Sequence, residues 1–477
     1  MTPQAAFEAL TRSAAIAPLP MPSFDGPEAV VPSPYKIATA VAAALGYAGA
    51  AAAEVWRFRG GDRQEIGVDL KAAAALTIPE YKLNGMAVRP GLPHTAASGF
   101  YQSADRHWLH LGGGFSHLKL RTLELLNAAD TTASVMEAVA KWNALALEDA
   151  LGFLGLCGAV VRGESEWNSC IPGRLAVVPI VLTQVAPGPP FRPAESVTPL
   201  GGLKVLDLTR VVAGPLCTRI LGEHGAEVLS IAAGRLASAG ALDTIYTAGK
   251  RQAQLDLAEP SSAEVLRRLA RQADVFVESY RPGALTALGF SSASLAHLKP
   301  GMITVSISAY GLQGPWAGRR GFEETVEAAS GLAAEQGAFM AGRHDAPAQP
   351  ELLPGAVLGT LTGILAAAGV LAALLRRIRE GGSWHVEVSL AATAAWLSSL
   401  GRIDAAAVPE GFEPLAGLDQ YLQSCETKDG WFEFLGPVVR MAKTPPRCGA
   451  LPEGIVSPHW ASAHEEANAA EIQSAQT

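Results

Sequence analysis

Residues Gly202–Ile231 read GLKVLDLTRVVAGPLCTRILGEHGAEVLSI, and their order decides the fold class. Leu203–Arg210 is a β-like run. The Gly214-Pro215 pair then opens a helix, because proline suits the first helical turn. Gly225 ends that helix, and Ala226–Ile231 makes the next strand. The alternation continues downstream: a short strand at Leu255–Leu257, a helix through Ser261–Ala273, and strands at Asp274–Ser279 and Met302–Gly311. Strand and helix alternating at this spacing predict an α/β fold with a parallel, doubly wound sheet.

Upstream, Ala186–Leu200 (APGPPFRPAESVTPL) holds five prolines and reads as a linker over 186–200. Downstream, Leu352–Leu375 carries no charge over 24 residues, long enough to raise the question of a membrane span. Pro354, Gly355, Gly359, Thr360, Thr362, Gly363 and Gly369 dilute it, and alanine supplies much of the rest. A buried helix packed closely through small residues is the expected outcome, with no membrane partner.

This helix also belongs to an internal repeat. At a constant offset of 320, Ser33–Ala72 matches Leu353–Ala392 without a gap. Pro34 falls on Pro354, Gly49 on Gly369, Arg57 on Arg377, Arg59 on Arg379, Gly61 on Gly381, Val68 on Val388 and Leu70 on Leu390. Each copy reads as helix, glycine turn, strand. Tyr101–Trp108 loosely echoes Ser424–Trp431 further on. The chain therefore divides into a tail (1–29), a degenerate front unit (30–185), the linker, a Rossmann-like part (201–350), a back unit (351–460) and a flexible tail (461–477).

The 477 residues are 49% hydrophobic and 17% charged, with net charge −8. No basic stripe argues for nucleic acid. Five scattered cysteines without a C-x-x-C pair fit a reducing, cytoplasmic setting. The first twenty residues lack a basic segment followed by an apolar one, so no signal peptide is expected. His107, His110 and His117 have poor zinc spacing, and no metal is expected. Leu111–His117 (LGGGFSH) lacks G-x-G-x-x-G order, and no G-x-S-x-G elbow exists.

The long motifs Gly202–Ile231, Ala248–Leu257 (AGKRQAQLDL), Ala273–Phe290 (ADVFVESYRPGALTALGF) and Ser306–Leu332, with Val438–Arg447 closing the series, resemble the family III CoA-transferases. That group includes carnitine-CoA and formyl-CoA transferases and the α-methylacyl-CoA racemases. The resemblance implies a Rossmann-like parallel sheet domain plus a smaller α+β domain, and an interlocked homodimer. It implies CoA or acyl-CoA as substrate or ligand, with no tightly bound cofactor. It also implies that Arg210, Val211, Val212, Ala213 and Gly214 line the CoA pocket. Lys250 and Arg251 would lie near the nucleotide phosphates. Ser279, Tyr280 and Arg281 would follow a strand at the binding edge, and Arg319 and Arg320 keep a basic position before Gly321.

The family's chemistry uses an aspartate near the start of the long helix, as covalent nucleophile in transferases or in proton transfer in racemases. Here that place is Gly359, preceded by Leu358, and the front copy offers only Ala38 and Thr39. No Asp or Glu occurs between Leu352 and Arg379. Phe322 stands where the racemases have histidine, Ala232–Ala233 replace an acid, and Ala287 replaces a basic residue. The expectation is a CoA-binding relative with weak or no transferase activity, a possible pseudoenzyme. The alternative is an active transferase or racemase using a replacement such as Glu323, which otherwise serves as a dipole partner at a helix start. A nicotinamide oxidoreductase lacks its glycine fingerprint.

Overall fold

The computed structural model describes residues 1–13, 18–91, 94–234, 241–427, 429–452 and 454–461. Its central sheet has eight strands, in the order Ile455–Val456, Lys250–Gln254, Glu227–Ala232, Lys204–Leu208, Val275–Glu278, Ile303–Ser308, Ser383–Ser389 and Val181–Ala186. Every neighbouring pair is parallel except the last, which is antiparallel. This is the predicted Rossmann-like arrangement. Helix Ala213–Glu223 connects strand Lys204–Leu208 to strand Glu227–Ala232, and Gly225, at φ +100°, ends the turn that follows it.

One strand falls elsewhere than predicted. The apolar run Leu255–Leu257 lies beyond the ladder, and the strand is the polar stretch Lys250–Gln254. Hydrophobicity misleads here because Lys250 is buried by ionic pairing on one face of the strand, while the apolar Ala253 is buried on the other.

The two copies of the repeat take the same local form. Helix Ile37–Phe58 leads to strand Ile66–Asp69, and helix Val357–Glu380 leads to strand Ser383–Ser389. Each strand runs into a further helix capped at the equivalent position. The Asp69 carboxylate accepts from the Ala72 N–H, and the Ser389 hydroxyl accepts from the Ala392 N–H. The paired glycines explain their own presence. A Cβ on Gly49 would stand 2.7 Å from Val439 and 3.2 Å from Ile66; one on Gly369 would stand 2.5 Å from Val386 and 3.1 Å from Ile180. Both helices are long and apolar enough to cross a membrane, and both are buried in the protein core.

The units exchange strands. Val181–Ala186, at the end of the front unit, pairs with Ser383–Ser389 of the back unit. Val439–Met441, at the end of the back unit, pairs with Ile66–Asp69 of the front unit, which also pairs with Ser23–Asp25. A four-stranded sheet likewise combines the front hairpin Tyr81–Val88 with the back hairpin Leu422–Leu435. The echoed stretch at Tyr101–Trp108 forms a hairpin too, but in a separate three-stranded sheet.

Residues 1–29, read as a tail, contain helix Pro3–Ser13, which buries Ala6, Phe7 and Leu10. Phe7 packs on Tyr47 at 6.4 Å between ring centroids. The proline-rich segment after Ala186 has no regular structure but is pinned down. Phe191 donates its N–H to the Arg377 carbonyl at 2.9 Å, and its ring lies 4.1 Å beneath that guanidinium. Arg59 donates to the Ala194 carbonyl at 2.9 Å. The flexible tail predicted over 461–477 lies, beyond Ala461, outside the described residues.

Candidate active site

The carboxyl ends of the parallel strands open onto a cavity of about 900 Å³. This is where α/β sheets of this kind bind ligands. Three segments of the Rossmann-like part form its floor: the turn Arg210–Gly214, Ser279–Arg281 after strand Val275–Glu278, and Arg319–Glu324 leading into helix Glu323–Ser330. The front unit supplies a wall, including Ile78, Pro79, Arg89, Phe115 and His117. Gly359, in the first turn of the long back helix, completes the lining.

The turn Arg210–Gly214 is tightly constrained. Val211 sits at φ +73°, a conformation that a β-branched residue rarely adopts. Such strain costs on the order of 1–3 kcal/mol and persists only where surrounding structure imposes it. Two glycines let the surrounding structure close on the turn. A Cβ on Gly214 would meet Thr209 at 2.2 Å, and one on Gly363 would meet the Ala213 carbonyl at 2.4 Å. The strand end, the turn and the long helix are thus in close contact, and the amides opening helix Ala213–Glu223 are held at the cavity, where they favour anions.

Positive charge gathers where the front unit meets the Rossmann-like part. Arg320 approaches His117 Nε2 at 3.3 Å, and Arg210 lies over the Phe115 ring at 5.5 Å. Burial, then Arg281, then Arg121 lower the Arg320 pKa, with Cys157 opposing. Burial and the neighbouring Arg320, Arg210 and Arg121 lower that of His117. Among the described residues, Arg121, Arg281 and Arg320 have no carboxylate within ion-pair distance. Arg319 differs, pairing with Asp149 at 2.7 Å and stacking on Trp316.

Lys250 and Arg251 do not line the cavity. Lys250 is sealed in the core, its side chain 2% exposed, pairing with Asp207 at 3.1 Å. It also donates to the Thr218 hydroxyl and the Pro215 carbonyl, each at 2.7 Å. Arg251 meets His459 at 3.1 Å. Successive strand residues face opposite sides, so an adjacent basic pair on a strand cannot converge on one phosphate.

The acid end of the cavity belongs to helix Glu323–Ser330. Glu323 and Glu324 are half-buried and line the cavity, while Glu327 is fully buried and accepts the Leu353 N–H at 2.9 Å. Glu323 Oε2 accepts the Gly359 N–H at 2.7 Å. Protein packed around the carboxyl and the nearby Glu324 push the Glu323 pKa up to about 8, against the pull of that N–H. Burial raises Glu324 and Glu327 as well. Phe322, in the racemase-histidine position, packs its ring on Phe115 at 5.5 Å.

Sequence reasoning missed the front-unit wall. Spacing groups His117 with His107 and His110, yet His107 is exposed and His110 is buried against Phe100. The basic run His117–Arg121 after the glycines was the available signal.

Residues 200–475 match the family described as CoA-transferase family III. The chain belongs to this family. Among curated relatives, it is 36% identical over 223 residues to "Acetyl-coenzyme A transferase nodX" of Hypoxylon pulicicidum, covering 46% of this chain and 37% of the relative. It is 30% identical over 215 residues to human "Succinyl-CoA:glutarate CoA-transferase", covering 43% of this chain and 48% of the relative. The chain thus spans half or less of these relatives' length. A solved structure of Rv3272 from Mycobacterium tuberculosis shares 31% identity at a TM-score of 0.38, covering 43% of this chain and 58% of that one. CoA-transferase family III membership and the Rossmann-like sheet confirm the expectations drawn from the motifs.

Proposed function

We propose that this family III chain binds a CoA thioester in the cavity and transfers CoA between carboxylic acids. The observation that carries the reading is a cavity with Arg281 and Arg320, which have no carboxylate ion-pair partner among the described residues, on one side and a carboxyl group on the other. CoA brings several phosphate charges, and its thioester end needs a carboxylate to exchange acyl groups. The amides at the start of helix Ala213–Glu223 add a further attraction for anions. Phe322 argues against racemase chemistry, because a phenyl ring cannot carry a proton.

Titration calorimetry with CoA tests the reading. Arg281→Ala is expected to weaken CoA roughly 10–100-fold, the range of one or two charge-assisted hydrogen bonds. Affinity should also fall as salt rises. Undetectable binding at millimolar CoA overturns the proposal. A silent binder remains the second reading, favoured by the glycine at 359; it binds CoA without exchange. The homodimer implied by the resemblance is a separate proposal, checked by sedimentation of the full chain.

A further inference from the structure

We infer that Glu323 is the acyl-accepting carboxylate of this protein, seated in the space that the missing side chain of Gly359 leaves open. The inference rests on the CoA-thioester reading of the same cavity.

Gly359 is more than a lost acid. A Cβ there would stand 2.8 Å from Glu323 Oε2 and 3.1–3.2 Å from the Val212 side chain. Any residue but glycine would therefore push the Glu323 carboxyl out of its position. The same glycine holds that carboxyl through its N–H, one of the first-turn amides without an intrahelical partner. This amide and the helix dipole favour the ionised form. The acid has moved from the long helix to the opening residue of a neighbouring helix, and it stays beside the same backbone and on the same cavity. Glu327 is committed to the Leu353 N–H and lines no part of the cavity.

The chemistry balances with CoA and two carboxylic acids alone. A Glu323 oxygen attacks the thioester carbonyl carbon; a C–O bond forms, the C–S bond breaks, and CoA leaves as thiolate. The acyl group is held as a mixed anhydride. The thiolate then attacks the glutamyl carbonyl, releasing the donor acid and leaving a glutamyl–CoA thioester. An acceptor carboxylate attacks that carbonyl, and the expelled thiolate takes the acceptor's acyl carbon, restoring Glu323.

The test uses the full chain, acetyl-CoA and succinyl-CoA as donors, and succinate and glutarate as acceptors. Exchange is followed by chromatography, with hydroxylamine trapping and peptide mass spectrometry to locate the acylated residue. The expected result is a hydroxamate on Glu323. Glu323→Gln, which keeps an oxygen for the Gly359 N–H, should lose at least about 1,000-fold in exchange while CoA affinity stays within about twofold. Glu323→Ala combined with Gly359→Asp, which returns an acid to the long helix, should recover part of the loss. Gly359→Asp alone should not raise activity, because two carboxyls then compete for one seat. Full exchange in Glu323→Gln, or trapped acyl on another residue, overturns the inference. So does CoA binding by the wild type without exchange for any pair. Loss of CoA binding itself would instead overturn the underlying reading.

Discussion

Replacing Lys250 by methionine separates a structural cation from a ligand-binding one. The resemblance placed Lys250 near the phosphates, whereas the structure buries it beneath the turn that forms the cavity floor. Its ammonium faces the Asp207 carboxylate at 3.1 Å, with side-chain exposures of 2% and 1%. Methionine fills similar volume but leaves Asp207 without its cation, and breaking a buried pair in this way costs about 3–5 kcal/mol. Three other donors soften the loss. The Asp207 carboxylate also accepts from the Thr209 N–H at 3.0 Å, the Thr209 hydroxyl at 2.5 Å and the Thr218 hydroxyl at 2.6 Å. The expected loss is therefore near the lower end, about 3 kcal/mol. Urea unfolding measures it, and CoA calorimetry on the folded variant should show an affinity within about threefold of wild type. Removing both charges with Asp207→Asn as well should cost less than the two single losses added together, since neither ion is then left unpaired. A variant of wild-type stability whose CoA affinity has collapsed would refute the reasoning and return Lys250 to the ligand.

Other outcomes are equally open to measurement. If Glu323 must be ionised to react, exchange should climb about tenfold per pH unit and level off near pH 8, where its raised pKa lies. The groups facing it are Glu324 and Glu327 on its own helix, Tyr246 from helix Ala241–Thr247, and the Gly359 N–H. Glu324→Gln removes a negative neighbour and should shift that rise to lower pH; an unshifted profile would dissociate the rise from Glu323. Val211→Gly should relieve the strain at φ +73° and stabilise the fold by roughly 1 kcal/mol in urea, while loosening the turn and weakening CoA. Gly369→Ala drives a methyl to 2.5 Å from Val386 and should destabilise by about 1–3 kcal/mol, detectable as a lower midpoint of unfolding.

The raised acids also set a direction for stability. A carboxyl whose folded pKa exceeds its unfolded value holds its proton more tightly when folded. Its contribution is most favourable below the unfolded pKa and is lost as pH rises through the folded one. For Glu323 that window runs from about 4.5 to about 8, so this group works against the fold at the pH where it is ionised.

Sequence alone determined the features that local chemistry dictates. The strand-helix alternation from Leu203 onward, the repeat at an offset of 320, and the turn Arg210–Gly214 are all readable because hydrophobic period, glycine and proline act over a few residues. The glycine at the acid's place was legible too. Its meaning was not. That Glu323 fills the space beside Gly359 depends on two helices 36 residues apart in sequence meeting at 2.7 Å. That Lys250 is core and Arg320 lines the cavity depends on which face of the fold each one reaches. Likewise, the front unit's strand Val181–Ala186 joins the back unit's sheet, while the back unit's Val439–Met441 joins the front. Strand pairing between distant segments leaves no local signature, because an edge strand's hydrogen bonds can be satisfied by either partner and only packing of the whole chain selects one.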